Sequence, residues 1–337
     1  MSSNPTEPLK KDAALDHLLR PATLGEYIGQ KRIKQNLEIL LKAAKERSHP
    51  PEHLLFYGPP GLGKTTLANL IARELGADIK TTSGPAIEKV GDLASIVTNL
   101  SPGDVLFIDE IHRLSKTVEE MLYPAMESGK LDIILGKGPS ARIIQLELAP
   151  FTLVAATTRV ALLSAPLRSR FSGGVFRLEF YTLEEMKQIL RRSAQILGVS
   201  LPEDACEEIA IRSRCTPRTA NYLLKRCRDF AQVAKRPLEK DAVQKALSLL
   251  EIDERGLSAL DQQILAAIIE KYHGGPVGIG TIAASLSEER STIEEVNEPY
   301  LIQLGFLERT SRGRVATDAA YKHLGLKAPE NRQERLI

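Results

Sequence analysis

Short runs of consecutive apolar residues punctuate the first half of the chain: His53–Tyr57, Val105–Ile108 and Leu153–Ala156. Runs with almost no polar position suit parallel strands buried on both faces. Stretches of helical periodicity lie between them. Strand-sized runs alternating with helices predict a doubly wound α/β domain over residues 17–181. The polar residues 1–16 read as a disordered lead-in.

The pattern changes at Thr182. Thr182 with Glu185 fits a capping box, and Met186, Ile189, Leu190 and Leu197 follow at helical spacing. A second helix is signalled by Thr216 as cap and Pro217 in its first turn. Residues 182–255 therefore read as a small all-helical domain. From 256 the pattern is helix, helix, helix and then "FLERT-SRG-RVAT", two short strands around a Gly-containing turn. Three helices and a β-ribbon make a winged helix over 256–337, with a frayed tail after about 325.

Composition narrows the function classes. A chain of 337 residues holds about two to three domains. Apolar residues make up 43% and charged residues 26%, the balance of an ordinary globular protein. Trp is absent and aromatics are few, which argues against an aromatic platform for single-stranded nucleic acid. The net charge of +2 confines any nucleic-acid surface to a local patch. Cys206, Cys215 and Cys227 match no zinc or redox spacing and read as reduced thiols near a core. No signal-peptide pattern or membrane-length apolar run is seen, so a cytoplasmic protein is expected.

The chemistry concentrates around the apolar runs. Gly58-Pro59-Pro60-Gly61-Leu62-Gly63-Lys64-Thr65 fits the P-loop pattern, with a strand before it and a helix after. Its glycines let backbone N–H groups turn onto phosphate oxygens, and the helix adds its positive end. Lys64 suits the β- and γ-phosphates, and the Thr65 hydroxyl suits Mg²⁺. In "DVLFIDEIHRL" Asp109 and Glu110 emerge from the C-terminal end of a buried strand, where ligands bind in such sheets. Asp109 suits the Mg²⁺ shell and Glu110 a general base for the attacking water.

Other polar residues are less decisive. Thr158 closes the strand of "FTLVAATTR"; it fits either a γ-phosphate or water contact, or a hydroxyl satisfying its own loop. Arg168 and Arg170 in "APLRSRF" include a candidate arginine finger, although spacing alone favours two solvent-exposed side chains. Arg218 falls in a helical first turn, where a cation opposes the helix dipole; a bound anion such as phosphate would compensate, and an exposed Arg can also tolerate the small cost.

Together these pieces resemble the AAA+ ATPases, with P-loop, Asp-Glu pair, Thr, Arg, helical lid and lid Arg in order. "LRPATLGEYIGQ", "LLFYGPPGLGKTTLA", "FIDEIHRL", "FTLVAATTR", "LRSRF", "TPRTAN" and "GFLERTSRGRVAT" narrow the resemblance to the RuvB family over residues 16–324. It implies an α/β AAA+ domain, a helical lid and a winged-helix head. It also implies an ATP- and Mg²⁺-dependent motor that migrates Holliday junctions as a homo-hexameric ring on double-stranded DNA. RuvA and the RuvC resolvase are its implied partners.

Carried over by position, Leu19, Arg20, Tyr27 and Ile28 belong to the adenine segment. Gly61, Gly63, Lys64, Thr65 and Thr66 hold phosphates and metal. Asp109 and Glu110 are the acidic pair, and Thr158 is the first sensor. Arg170 is the finger acting on a neighbouring subunit, Tyr181 lies near the nucleotide at the lid hinge, and Arg218 is the lid sensor. The stretch at 131–150, with alternating apolar residues around Gly-Lys-Gly-Pro, resembles the hairpin that docks RuvA; by its own pattern it is a hairpin that says nothing of a partner and is buried by default. Cys215 stands where the family pattern leads one to expect Gly, and the Arg170–Tyr181 interval is one residue longer than expected.

The last domain carries a separate expectation. Its third helix is acidic, with Glu288, Glu289, Glu294, Glu295 and Glu298, and so is a poor reader of a major groove. Arg309, Arg312 and Arg314 on the ribbon place DNA contact on the wing, through phosphates and the minor groove. A solvated basic turn or a protein-contacting wing would show the same residues. Two other functions share most of these motifs: a clamp-loader-like switch and an AAA+ winged-helix initiator.

Overall fold

The structure, a computed structural model, describes residues 15–135 and 142–328. Residues 1–14, 136–141 and 329–337 lie outside the described residues, and with them most of the expected lead-in, the Gly-Lys-Gly-Pro turn and the end of the expected tail. The chain divides into two compact units, Met1–Tyr181 and Thr182–Ile337.

The first unit is built on a five-stranded parallel sheet. Its strands are β1 (Leu54–Tyr57), β2 (Ile79–Ser83), β3 (Val105–Asp109), β6 (Thr152–Thr157) and β7 (Gly174–Arg177), in the order β2-β3-β6-β1-β7. The three apolar runs are the three inner strands. Leu54, Leu55, Phe56, Phe107 and Ala155 are fully buried, because helices cover both faces. The edge strands are a finding beyond the sequence reading. β2, "IKTTS", is largely exposed, and β7, "GVFR", alternates between half-buried and exposed. An edge strand has one neighbour and partial cover, so it need not be apolar, and no continuous run marks it.

The strand order places the chemistry. β1 ends in the P-loop and lies between β6 and β7. β3 lies on the far side of β6, with Leu106 opposite Leu153 and Ile108 opposite Ala155. The C-terminal ends of β1, β6 and β3 therefore stand side by side. The helix Lys64–Leu75 starts directly after the P-loop and buries Leu67, Ala68, Leu70, Ile71 and Ala72. The helix Lys116–Ser128 is capped by Ser115, whose side chain accepts from the Val118 N–H at 3.4 Å, and it leads straight into a second, two-stranded sheet. That sheet pairs β4 (Lys130–Leu135) with β5 (Arg142–Glu147) in antiparallel register, Lys130 opposite Glu147 and Leu135 opposite Arg142. It is the hairpin that the sequence pattern signalled, and Ile144 on it is 43% exposed rather than buried.

The second unit begins with the helices Leu183–Ile196, Glu203–Arg212, Pro217–Val233 and Lys240–Leu249. The Thr182–Glu185 capping box is formed in both directions, at 3.3 and 2.9 Å. Thr216 precedes Pro217 as expected, but its hydroxyl turns to Thr219 Oγ1 at 2.8 Å instead of capping a helix N–H. Cys215, at φ 52°, holds the left-handed conformation that Gly adopts freely. Cys206 and Cys227 are fully buried, and burial pushes their thiols up to about 11 and about 12, as inert core cysteines require.

The winged helix follows. Its helices are Ala259–Ala266, continued by a wider turn through Lys271, then Ile279–Leu286, and then Arg290–Gln303 with a wide turn at Ile293–Asn297. β8 (Leu307–Thr310) and β9 (Gly313–Ala316) form the wing. A last helix, Asp318–His323, packs Ala320 and Tyr321 into the same core as Ile264, Leu265, Ile282 and Leu301. The sequence reading expected no helix between the wing and the tail.

Candidate nucleotide and DNA sites

The P-loop is closed on one side by tyrosines. The hydroxyls of Tyr27 and Tyr181 lie 3.0 Å apart, and they lie 3.2 and 3.1 Å from the Leu62 carbonyl. Burial, then the neighbouring Tyr181, pushes the Tyr27 phenol well above its ordinary range, so it stays a neutral donor. Gly63 has φ 101°, and a Cβ there would stand 2.8 Å from the Tyr27 hydroxyl. Only glycine allows the loop to turn and pass so close to this ring. Of the residues expected to receive the base, Leu19 and Tyr27 are buried, whereas Ile28 is half-buried and Arg20 exposed. Gly61, Thr65 and Thr66 are half-buried around the start of the helix.

Lys64 is buried and donates to the Gly58 and Pro59 carbonyls at 2.8 and 2.9 Å. Burial lowers its pKa; Glu110 and Asp109 oppose that shift. A buried ammonium whose hydrogen bonds, among the described residues, go to neutral carbonyls suits an anion. Thr65 and Asp109 supply the hard oxygen donors that Mg²⁺ takes. These residues fit a nucleoside triphosphate with its metal.

Glu110 sits just past β3 with φ 48°, a left-handed conformation that is costly for Glu. The backbone of Gly84 comes so near that a Cβ there would lie 2.3 Å from the Glu110 carbonyl oxygen. Glu110 Oε2 accepts from the Thr158 hydroxyl at 3.2 Å and lies 3.1 Å from His112 Nδ1. Burial by itself would raise the Glu110 pKa. The hydrogen bond with His112, then the Thr158 N–H and Lys64, outweigh burial and hold it below the ordinary value. Glu110 is thus an ionised acceptor at neutral pH, as a general base must be. The sequence reading placed Thr158 on the strand end but assigned nothing to His112; its only signal was a position two residues past Glu110.

Arg170 ends the short helix Ala165–Ser169. It is not the loose surface cation that spacing alone favoured. Its guanidinium lies over the Tyr123 ring at 4.3 Å and donates to the Pro166 carbonyl at 2.7 Å. It also pairs with Glu127 at 2.9 Å. Its Nε is buried against this ring and meets no hydrogen-bond partner among the described residues. Tyr123 in turn donates to Glu119 at 2.8 Å and lies 3.0 Å from Ser164 Oγ. Sequence reasoning missed Tyr123 and Glu127, which sit one helical turn apart on the helix Lys116–Ser128.

Arg218 is exposed in the first turn of the helix Pro217–Val233, within the second unit. On the wing, Arg309 and Arg312 are exposed. Arg309 lies 3.7 Å from Glu294. Arg314 departs from the expectation of a surface contact. It is buried at 8% exposure and forms a two-point ion pair with Glu298, at 3.2 and 3.0 Å. Its neighbour on the ribbon, Gly313, faces the Val277 carbonyl, and Arg314 exchanges both backbone hydrogen bonds with Val277. A single bridge from Val277 therefore lies against that side of the wing, and the arginine turns inward. The acidity of the third helix is partly explained by the same contact: Glu294 and Glu298 serve the wing arginines.

Comparison with known proteins agrees with this geometry. Residues 19–178 match the model described as the Holliday junction DNA helicase RuvB P-loop domain. Residues 181–253 match the RuvB AAA lid domain, and 254–325 the RuvB C-terminal winged helix domain. A structure of Thermotoga maritima RuvB, described as a Holliday junction branch migration motor, is 51% identical, with 93% of this chain and 100% of that one covered and a TM-score of 0.85. The chain belongs to the RuvB family. A point variant of the same Thermotoga protein is also 51% identical, over 92% of this chain and 99% of that one, with a TM-score of 0.86. RuvB membership establishes the AAA+ fold class and a nucleotide-binding P-loop, and it sets aside the clamp-loader and initiator alternatives. Among the described residues, no helix is long and apolar enough to cross a membrane.

Proposed function

We propose that the protein is an ATP-hydrolysing motor that drives branch migration of four-way DNA junctions during recombination and repair in the bacterial cytoplasm. It works as a ring of six, docked on RuvA through the hairpin 131–150, with RuvC acting on the same junction. One observation carries this reading. A P-loop with an ionised Glu110 at the adjoining strand end, an arginine held on a stacked platform and a winged helix occur in one chain. They follow the order and nearly the full length of the Thermotoga branch-migration motor.

The residues divide the work. Backbone N–H groups at Gly61 and Gly63, with Lys64, bind the phosphates. Thr65 and Asp109 hold Mg²⁺, which when bound neutralises charge on the phosphates. Thr66 supports the same end of the helix, and Leu19, Arg20, Tyr27, Ile28 and Tyr181 receive the base. Glu110 takes a proton from the attacking water, and Thr158 orients that pair. Arg170 reaches the γ-phosphate of the neighbouring subunit's ATP, and Arg218 reports the nucleotide to the lid.

DNA contact falls to Arg309 and Arg312, with Arg314 withdrawn from the set. An Arg309→Ala/Arg312→Ala protein is expected to bind duplex DNA more weakly on every sequence. Its slope of log affinity against log salt falls by about 2, roughly one per phosphate contact. Duplex DNA is expected to stimulate hydrolysis in the parent protein and far less in this variant; equal stimulation would remove the wing from the mechanism. Arg314→Ala is expected to fail differently. Removing it leaves the Glu298 carboxylate buried at 2% exposure without its guanidinium, a loss of about 3–5 kcal/mol of winged-helix stability. Thermal or denaturant unfolding checks that loss.

A further inference from the structure

His112 has no part in holding phosphate, yet it is built into the end of the sheet. The short 3₁₀ turn Ile111–Arg113 follows β3 directly, and the left-handed Glu110 turns the chain so that the imidazole folds back towards β6. Its side chain is only 8% exposed. Nδ1 lies 3.1 Å from Glu110 Oε2 and 2.9 Å from Thr157 Oγ1. Thr157 Oγ1 already accepts from the Arg159 N–H at 2.9 Å. A carboxylate oxygen tolerates a donor at this distance and is repelled by a bare nitrogen lone pair, so the tautomer that fits carries its proton on Nδ1. That N–H lies between Thr157 Oγ1 and Glu110 Oε2, the carboxylate oxygen that also accepts from the Thr158 hydroxyl.

We propose that His112 is a positioning residue for hydrolysis: its Nδ1–H fixes Glu110 Oε2 against the tip of β6, so that Oε1 takes the proton from the attacking water. The proposal rests on the reading of Glu110 as the base. It makes the imidazole a brace between β3 and β6, the two strand ends that carry Glu110 and Thr158. Without it the carboxylate keeps its charge but loses its direction, and a misplacement of about 1 Å at a reacting group costs on the order of 100-fold in rate.

The test uses the full chain with duplex DNA and compares His112→Ala, His112→Asn and His112→Gln, with Glu110→Gln as control. The side-chain amide of Asn reaches the place of Nδ1, whereas that of Gln reaches the place of Nε2. His112→Ala is expected to lower kcat for ATP by about 10–100-fold with KM changed less than about 3-fold. His112→Asn is expected to recover most of the loss and His112→Gln little of it. A purely structural role predicts rates that follow the melting temperature of each variant, with no advantage for Asn over Gln. That result overturns the proposal, as does an unchanged kcat in a folded His112→Ala protein whose Glu110→Gln counterpart is inactive. Should His112→Ala fail to fold, the Asn–Gln comparison decides alone. Full hydrolysis by Glu110→Gln would instead remove the base itself, and the proposal with it.

Discussion

Glu110→Gln is expected to bind ATP as the parent protein does and to hydrolyse it about 10²–10⁴-fold more slowly. The amide keeps the size of the side chain, and its carbonyl can still accept from the Thr158 hydroxyl, now 3.2 Å from Oε2. What disappears is the ionised oxygen that environment holds below the ordinary carboxylate pKa. Lys64, Gly61 and Gly63 are untouched, so phosphate binding persists. Nucleotide affinity by fluorescence titration and turnover by phosphate release separate the two effects. Loss of binding together with turnover would place Glu110 in the phosphate cradle rather than at the water.

Arg170→Ala is expected to lower hydrolysis by about 10³-fold or more when every subunit carries it, the scale of a missing arginine finger. The distinctive expectation concerns mixtures. An Arg170→Ala subunit keeps its own P-loop and acidic pair, and under the proposed function Arg170 acts on a neighbour. Mixing Arg170→Ala with Lys64→Ala subunits is expected to restore turnover, because some interfaces then join an intact P-loop to an intact finger. Without that rescue, Arg170 works within its own subunit. The platform that holds it favours a finger: a guanidinium stacked on Tyr123 and anchored by Glu127 and the Pro166 carbonyl is ordered before any partner arrives, which reduces the entropy lost on docking.

The inner sheet, the P-loop, the acidic pair and the wing were legible because each carries a strong local signal. Leu54–Tyr57, Val105–Ile108 and Leu153–Ala156 must be apolar to lie between two layers of helix. The P-loop glycines are demanded by backbone geometry, as Gly63 shows against Tyr27. β2 and β7 were not legible, since strands at a sheet edge need no apolar run. The platform of Arg170 was hidden because Tyr123 and Glu127 lie more than 40 residues before it in sequence; only the folded helix Lys116–Ser128 brings them together. Arg314 misled for a related reason. Its charge marked a basic ribbon, but the ion pair to Glu298 and the bridge to Val277 are tertiary contacts that no ribbon pattern reveals. His112 lay inside a motif already assigned to Asp109 and Glu110, and its reach to Thr157 depends on β3 and β6 being neighbours.

The central claim is that ATP turnover at this P-loop moves DNA at a junction. Dissociation of a synthetic four-way junction into duplex products, followed by gel with ATP, Mg²⁺ and RuvA present, measures that movement directly. Rapid dissociation that needs ATP and RuvA, and that is lost with Lys64→Ala or Glu110→Gln, is the predicted result. Vigorous ATP hydrolysis on DNA with the junction left intact would contradict it.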